Sequence, residues 1–456
     1  MKTLRISTLL LISTFCFAQK PDSVIIKQLY ITALSNSQCY SNLDYLANKI
    51  GGRLAGSPQA QKAVEWATKA MKEAGCDTVF LQECMVPHWV RGAKEIGRVQ
   101  TGSQSELMNI CALGGSIGTP KEGLTAPVIE VKSIEELYKL GTEKIKGKIV
   151  FFNRPFDPTE VNPFHAYGKA VDQRWEGPSV AAKFGAVATI CRSMTPSIND
   201  VPHTGSMVYL VDSIPQKIPA CAISTMGAEK LNEILVKNKQ VNFFLKMNCE
   251  TLPDEKSYNV VGEIKGTEHP EEIIVVGGHL DSWETGDGAH DDGAGVVQSM
   301  EVLHLMKALG IRPKRTIRAV AFMNEENGLR GGKKYAELAK LNKEKHILAI
   351  ESDRGGLTPR GFSFSGDEEK LEKLKKWKPL LEPYGLYDFN HDGGGSDIGP
   401  LEKMGVPVME LTPDPQRYFD FHHTPNDIFI NVNKRELELG AASLGALIYL
   451  VNEYGL

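Results

Sequence analysis

The sequence predicts an α/β chain, with a mainly parallel sheet flanked by helices and a smaller α/β unit inserted into it. Three observations predict this. Short apolar runs at 273–276, 316–322, 347–350 and 406–411 alternate with longer helical patterns such as 295–309 and 368–381. Strand–helix alternation of this kind builds parallel sheets covered by helices. A second, shorter alternation lies in the middle, with strand-like runs at 126–131, 148–153 and 186–190 around helical stretches at 134–140 and 178–184. Finally, 456 residues exceed the usual size of one domain. The expected division is a main unit of residues 19–125 and 249–456, with an insert at 126–248.

The first residues are Met-Lys-Thr-Leu-Arg, followed by a short apolar run that ends at the small residue Ala18. A basic start, a short apolar run and a small residue predict a secretory signal peptide over 1–18. The run is too short to cross a bilayer, which takes roughly 20 residues. Secretion, or export to a periplasm, is the expected localisation. Residues 22–50 have apolar positions at helical spacing. Next comes the loop Gly51-Gly52-Arg53-Leu54-Ala55-Gly56, and Ser57-Pro58 reads as a cap and first helical position. Ala63, Val64, Ala67, Ala70 and Met71 then form one helical face, which Gly75 ends. The Pro-, Gly- and aromatic-rich stretch 155–177 reads as a long loop.

Composition excludes some functions. The formal net charge is −4, so the chain has no electrostatic footprint for nucleic acid or an anionic membrane. Beyond Cys16, the cysteines are Cys39, Cys76, Cys84, Cys111, Cys191, Cys221 and Cys249. None has CxxC spacing, so no structural zinc site is encoded by them. Cys76 and Cys84 are the candidates for a bridge.

The chemistry sits directly after the strand-like runs. The run at 273–276 leads to Gly278-His279-Leu280-Asp281, and the run to 322 leads to Asn324-Glu325-Glu326. The run at 347–350 leads to Glu351-Ser352-Asp353, and that at 406–411 leads through a loop to His422-His423-Thr424-Pro425-Asn426-Asp427. Open α/β sheets bind ligands beyond the carboxyl ends of their strands, so these four ends should meet. A fifth piece, Gly286-Asp287-Gly288-Ala289-His290-Asp291-Asp292-Gly293-Ala294-Gly295, is a glycine-rich acidic loop running into a helix. Its Asp can bridge two metals with one oxygen on each, and mixed His and carboxylate donors suit zinc. Taken singly, His279 is an ordinary polar residue, Glu325-Glu326 a helix start and Asp291-Asp292 a turn. In this order, at successive strand ends, they form a constellation.

That constellation resembles the co-catalytic zinc aminopeptidases and glutamate carboxypeptidases. The resemblance covers nearly the whole chain after the signal. It is densest at 277–295, 312–318, 324–326, 351–353 and 422–427. It implies the zinc exopeptidase fold with a protease-associated insert, two zinc ions and short peptide substrates. A homodimer is implied by resemblance alone. His279 and Asp353 would bind one zinc, Glu326 and His423 the other, with Asp291 bridging. Glu325 would be the general base. Asp281 would hydrogen-bond His279, and the Asp291–Asp292 bond, with Asp292 beside the bridge, would be cis. Several relatives carry Tyr directly before the last ligand, to stabilise the oxyanion; His422 stands there and is expected to donate instead. Gly395, Ser396 and Asp397 match a loop lining the substrate pocket. Arg354 is a candidate for a substrate carboxylate. His290, His391 and Trp283 are close enough in sequence for substrate contact. Two further readings stay open: a single-zinc glutaminyl cyclase needing only the counterparts of Asp291, Glu326 and His423, and a non-catalytic binding relative.

Overall fold

The structure is a computed structural model and describes residues 21–389 and 393–456. The expected signal peptide and His391 lie outside the described residues. The strands, in chain order, are β1 (Thr78–Val90), β2 (Ile96–Thr101), β3 (Gln104–Met108), β4 (Ile110–Ala112), β5 (Leu124–Val131), β6 (Ile149–Phe152), β7 (Ala188–Arg192), β8 (Ala220–Ile223), β9 (Asn242–Lys246), β10 (Glu250–Ile264), β11 (His269–His279), β12 (Arg315–Phe322), β13 (Lys345–Glu351), β14 (Pro359–Ser365) and β15 (Val408–Pro413).

They form two sheets. The first has the order β1-β10-β12-β11-β13-β15-β14. Its central strands β12, β11, β13 and β15 run parallel, so their carboxyl ends share one edge. The flanking pairs β1/β10, β10/β12 and β14/β15 are antiparallel. The sheet is therefore mixed, which corrects the expectation of a mainly parallel one. The antiparallel strands were not foreseen because they interrupt apolar runs with charge and proline. β1 carries Pro87 where the register shifts between Val86 and His88, one of the places a strand tolerates proline.

The second sheet has the order β3-β2-β9-β5-β6-β7-β8-β4. It begins at Ile96, thirty residues before the expected boundary at 126, and ends at Lys246, near the expected 248. The sequence at 96–112 belongs with this sheet because β2 pairs β9 and β4 pairs β8. The parallel strands β5, β6 and β7 are the three runs read from sequence. The chain enters the unit from β1 and leaves it into β10, and these two strands pair along most of their length.

Helices follow the sequence closely where apolar spacing is regular. Ser57 Oγ accepts from Ala60 N at 3.1 Å and Pro58 opens the helix Pro58–Glu73. Helices Ala294–Ala308 and Glu368–Leu381 lie where expected. The supposed loop at 155–177 instead holds helices Pro163–Ala170 and Asp172–Trp175. Asn162 Oδ1 caps the first of these, accepting from Phe164 N at 3.0 Å. Both are too short to show a repeating apolar face. All seven described cysteines are free thiols, so Cys76 and Cys84 form no bridge.

Candidate metal centre

The parallel strands deliver their side chains to one edge. β11 ends on His279, and β12 leads through Met323 to Glu325 and Glu326. β13 leads to Asp353, and the loop after β15 carries His422 and His423. The acidic loop must come down onto this edge, and glycine permits it. A methyl on Gly278 would lie 2.3 Å from Asp292 Oδ2, and one on Gly295 would lie 1.7 Å from Ser352 O. No side chain fits at either position.

Asp291 sits at the centre, and its two oxygens face different partners. Oδ1 lies 3.1 Å from His279 Nε2, which is also 3.2 Å from Asp353 Oδ1. Oδ2 lies 3.3 Å from His423 Nε2, which is 3.2 Å from Glu326 Oε2. A tetrahedral ion with bonds of about 2 Å holds its ligand atoms roughly 3.3 Å apart. The spacing fits two such ions sharing Asp291. Asp291 Oδ2 and Asp353 Oδ1 are buried and have no hydrogen-bond partner. Buried acceptors of this kind call for a cation.

The surroundings fix these groups. His279 Nδ1 donates to the main-chain oxygen of Asp281 at 2.9 Å, which leaves Nε2 facing the carboxylates. The Asp281 carboxylate itself stands 4.0 Å from that nitrogen. It accepts instead from the backbone of Asn324 at 2.6 Å and Glu325 at 3.0 Å. This corrects the expected side-chain bond: Asp281 aims the loop carrying Glu325, and only its carbonyl orients His279. The Asp291–Asp292 peptide is cis. Asp292 accepts from His279 N and Gly295 N, both at 2.9 Å.

Two residues that the sequence reading left without a role hold the acidic loop. Asp427 accepts from His290 N at 2.6 Å and Asp291 N at 3.0 Å. Arg53 is fully buried and donates to the carbonyls of Leu280, Asp287 and Gly288. Only the odd placement of a charge in a Gly-Gly-Arg loop could have pointed to it. His290 is occupied by the fold, stacking on Phe421 with ring centroids 4.6 Å apart. Trp283 is buried, donating its backbone N–H to Glu326 Oε1 at 3.2 Å and setting its ring edge-on to His423.

A cavity of about 980 Å³ opens over the centre, and Glu325, Gly395, Ser396, Arg354 and His422 all reach it. Asp397 does not. It is 1% exposed, and its N–H donates to Glu351 Oε2 at 3.0 Å, behind the glycines. The loop approaches too closely for its acid to face the substrate: a methyl on Gly395 would strike the Glu351 carboxyl carbon at 2.1 Å. Arg354 is ion-paired to Glu410 and covers the Phe164 ring. His422 stacks on His423 with centroids 3.6 Å apart, its Nε2 4.0 Å from Asp291 Oδ2 and its Nδ1 unpartnered.

The chain belongs to peptidase family M28. Residues 259–446 match the model of that family. Over 415 residues the chain is 38% identical to carboxypeptidase Q of Rattus norvegicus, covering 91% of this chain and 85% of that protein. It also resembles the crystal structure of a peptidase M28 precursor from Shewanella amazonensis, with a TM-score of 0.89 at 34% identity, covering 94% of this chain and 96% of that one. A zinc aminopeptidase from Bacillus subtilis shares the fold with a TM-score of 0.65 at 21% identity, covering 92% and 96%. This M28 member is a zinc metallopeptidase.

Charge at the centre is out of balance without a cation. Burial resists protonation of His423, but Glu326 and Asp291 outweigh it and push the imidazole up to about 10. Burial and Asp291 raise Glu326 to about 7. Protons here stand in for the positive charge an ion brings. A zinc ion held by His423 would displace that proton at any pH below about 10. Affinity should therefore rise with pH through the neutral and alkaline range, by about tenfold per unit for each proton released. Competition with a chromophoric chelator measures this, and a flat profile would contradict it.

Proposed function

We propose that this M28 peptidase is a secreted two-zinc exopeptidase acting on dipeptides or short peptides. The observation that carries the reading is Asp291, whose oxygens each face a separate histidine–carboxylate pair. In this reading His279 and Asp353 hold one ion, Glu326 and His423 hold the other, and Asp291 bridges. The intact His279–Asp353 pair favours two metals over the one-zinc cyclase alternative. Zinc in these positions supplies Lewis-acid activation of a water and of the scissile carbonyl.

Glu325 is the general base. It borders the cavity directly before Glu326, with its backbone held by Asp281. A carboxylate there would take a proton from the attacking water and return it to the leaving amine. His422 is assigned as a hydrogen-bond donor to the oxyanion. Burial and the neighbouring His423 keep it neutral, so it carries one N–H. Replacing one oxyanion donor costs on the order of 10²-fold in kcat. His422→Phe should show such a fall with KM little changed; undiminished turnover removes His422 from the mechanism.

The unit built on the second sheet acts as a protease-associated insert that shapes access, since Phe164, Tyr167 and Ser206 from it line the cavity. The basic and apolar start of the sequence supports export, and no described helix is long and apolar enough to cross a membrane. Zinc analysis of the purified protein, with assays on free, N-blocked and C-blocked dipeptides, tests the whole reading. Two ions per chain and dipeptide turnover are expected. One tight ion with no peptidase activity supports the cyclase instead.

A further inference from the structure

The second sheet's unit grips one side of the metal centre as well as walling the cavity. His423 has a left-handed backbone at φ +61°, which a residue other than glycine keeps only when its surroundings hold it there. What holds it comes from the insert. Thr204 is fully buried, and its N–H donates to His423 O at 3.0 Å. With Nε2 of His423 turned to Asp291 and Glu326, its Nδ1 donates back to Thr204 O at 3.4 Å. Two residues on, Ser206 Oγ donates to Glu326 O. Both residues of one proposed ion position, Glu326 and His423, are thus bonded to the same short segment of the insert. The other position is built differently: His279 Nδ1 donates to Asp281 O, within its own unit.

That segment is pinned in turn by Arg91, in the connection between β1 and β2. The Arg91 side chain is 10% exposed, and all three of its nitrogens are engaged. Nε donates to Glu284 Oε1 at 2.6 Å, in the loop directly after Trp283. Nη1 donates to Glu95 Oε1 at 3.3 Å and to Ala112 O at the end of β4. Nη2 donates to Thr204 Oγ1 at 3.1 Å, and that hydroxyl donates to Ala112 O at 2.8 Å. One guanidinium therefore joins the loop after β11, the end of β4 and Thr204. Its planar fork fixes direction in a way that a flexible point charge does not. The same segment is stitched to β4 beside Ser206, where Gly114 N donates to Gly205 O at 2.9 Å and Met207 N donates to Gly114 O at 3.0 Å. Arg91 does not border the cavity, so its route to the chemistry runs through Thr204.

We propose that Arg91 is a positioning residue for the ion at Glu326 and His423. Through Thr204 it sets the backbone and ring of His423, so this ion binds only as tightly as the insert is docked against the first sheet's unit. The ion at His279 and Asp353 depends on that docking far less. The inference rests on the two-zinc reading above and separates the two ions by their dependence on the insert. Outer partners that orient a metal-ligating histidine are worth roughly 10–100-fold in affinity.

The test is equilibrium zinc titration of the metal-stripped full chain against a chromophoric chelator, which resolves two dissociation constants. In Arg91→Met one constant should rise by about 10–100-fold while the other stays within a few-fold. Thr204→Val removes only the hydroxyl between Arg91 and Ala112 O. It should weaken the same ion, and it serves if the Met variant fails to fold. The double variant should bind no more weakly than Arg91→Met alone, because both changes cut one connection. In His423→Ala, which lacks that ion position, Arg91→Met should leave the remaining constant unaltered. Melting temperatures accompany each titration. Both constants rising together, neither rising, or a further loss in the His423→Ala background overturns the assignment of Arg91 while the two-zinc reading stands. Uptake of a single ion by the wild type overturns both.

Discussion

Glu325→Gln is expected to lower kcat by about 10²–10⁴-fold while zinc content stays at the wild-type level. The side chain keeps its size and its place beside the cavity. What it loses is the ability to take a proton from the attacking water. Its backbone is held independently, since Glu325 N donates to Asp281 Oδ1 at 3.0 Å whatever the side chain carries. In the proposed centre Glu326, which faces His423, holds metal and Glu325 does not. Two adjacent glutamates therefore separate cleanly in experiment. The variant should bind substrate and metal as well as the parent does. Peptidase activity within a few-fold of the parent would refute Glu325 as the base, and loss of zinc would show that it holds metal instead.

Asp291→Asn should fail more broadly. The change is nearly isosteric, but it removes the negative charge shared by both histidine–carboxylate pairs. One carboxylate oxygen becomes an amide nitrogen, which donates and cannot ligate an ion. Whichever way the amide turns, one of the two positions loses a donor and both lose charge. Zinc analysis should find no more than one ion retained per chain, and activity should fall by roughly 10³-fold or more, as both base and activated water depend on the intact centre. Full occupancy by two ions in this variant would remove Asp291 as the bridge. A comparable change at Asp292 has another meaning, because its oxygens are already taken by His279 N and Gly295 N.

Much of the fold was legible because its signals are local. β11, β12 and β13 are short apolar runs, and the helices Ala294–Ala308 and Glu368–Leu381 repeat at helical spacing. The long antiparallel pair β1/β10 was not legible. Proline and charge interrupt both strands, and the pairing spans Thr78 to Glu263, which no local pattern reports. The start of the second sheet was misplaced for the same reason, since β2 finds its partner β9 far along the chain. Within the site, the roles of Arg53 and Asp427 escaped the sequence. Arg53 reaches the carbonyls of Leu280, Asp287 and Gly288, more than two hundred residues away. An isolated arginine in a glycine loop defaults to the surface, where most arginines lie.

The sequence by itself supplied the candidates. His and carboxylate side chains follow each strand signal or lie in the glycine-rich loop, strand ends converge in an open sheet, and the family resemblance implied His279, Asp291, Glu326, Asp353 and His423 among them as the ligands. Tertiary structure alone decided which oxygen of Asp291 meets which histidine, that the Asp281 carboxylate serves the Glu325 backbone, and that Asp397 turns away from the cavity. It also decided that Arg354, which follows a proposed ligand directly and is a candidate anion site by sequence, is neutralised by Glu410. The physical reason is that a side chain's donor and acceptor atoms are set by its residue type, while its partners are set by packing between segments far apart in sequence.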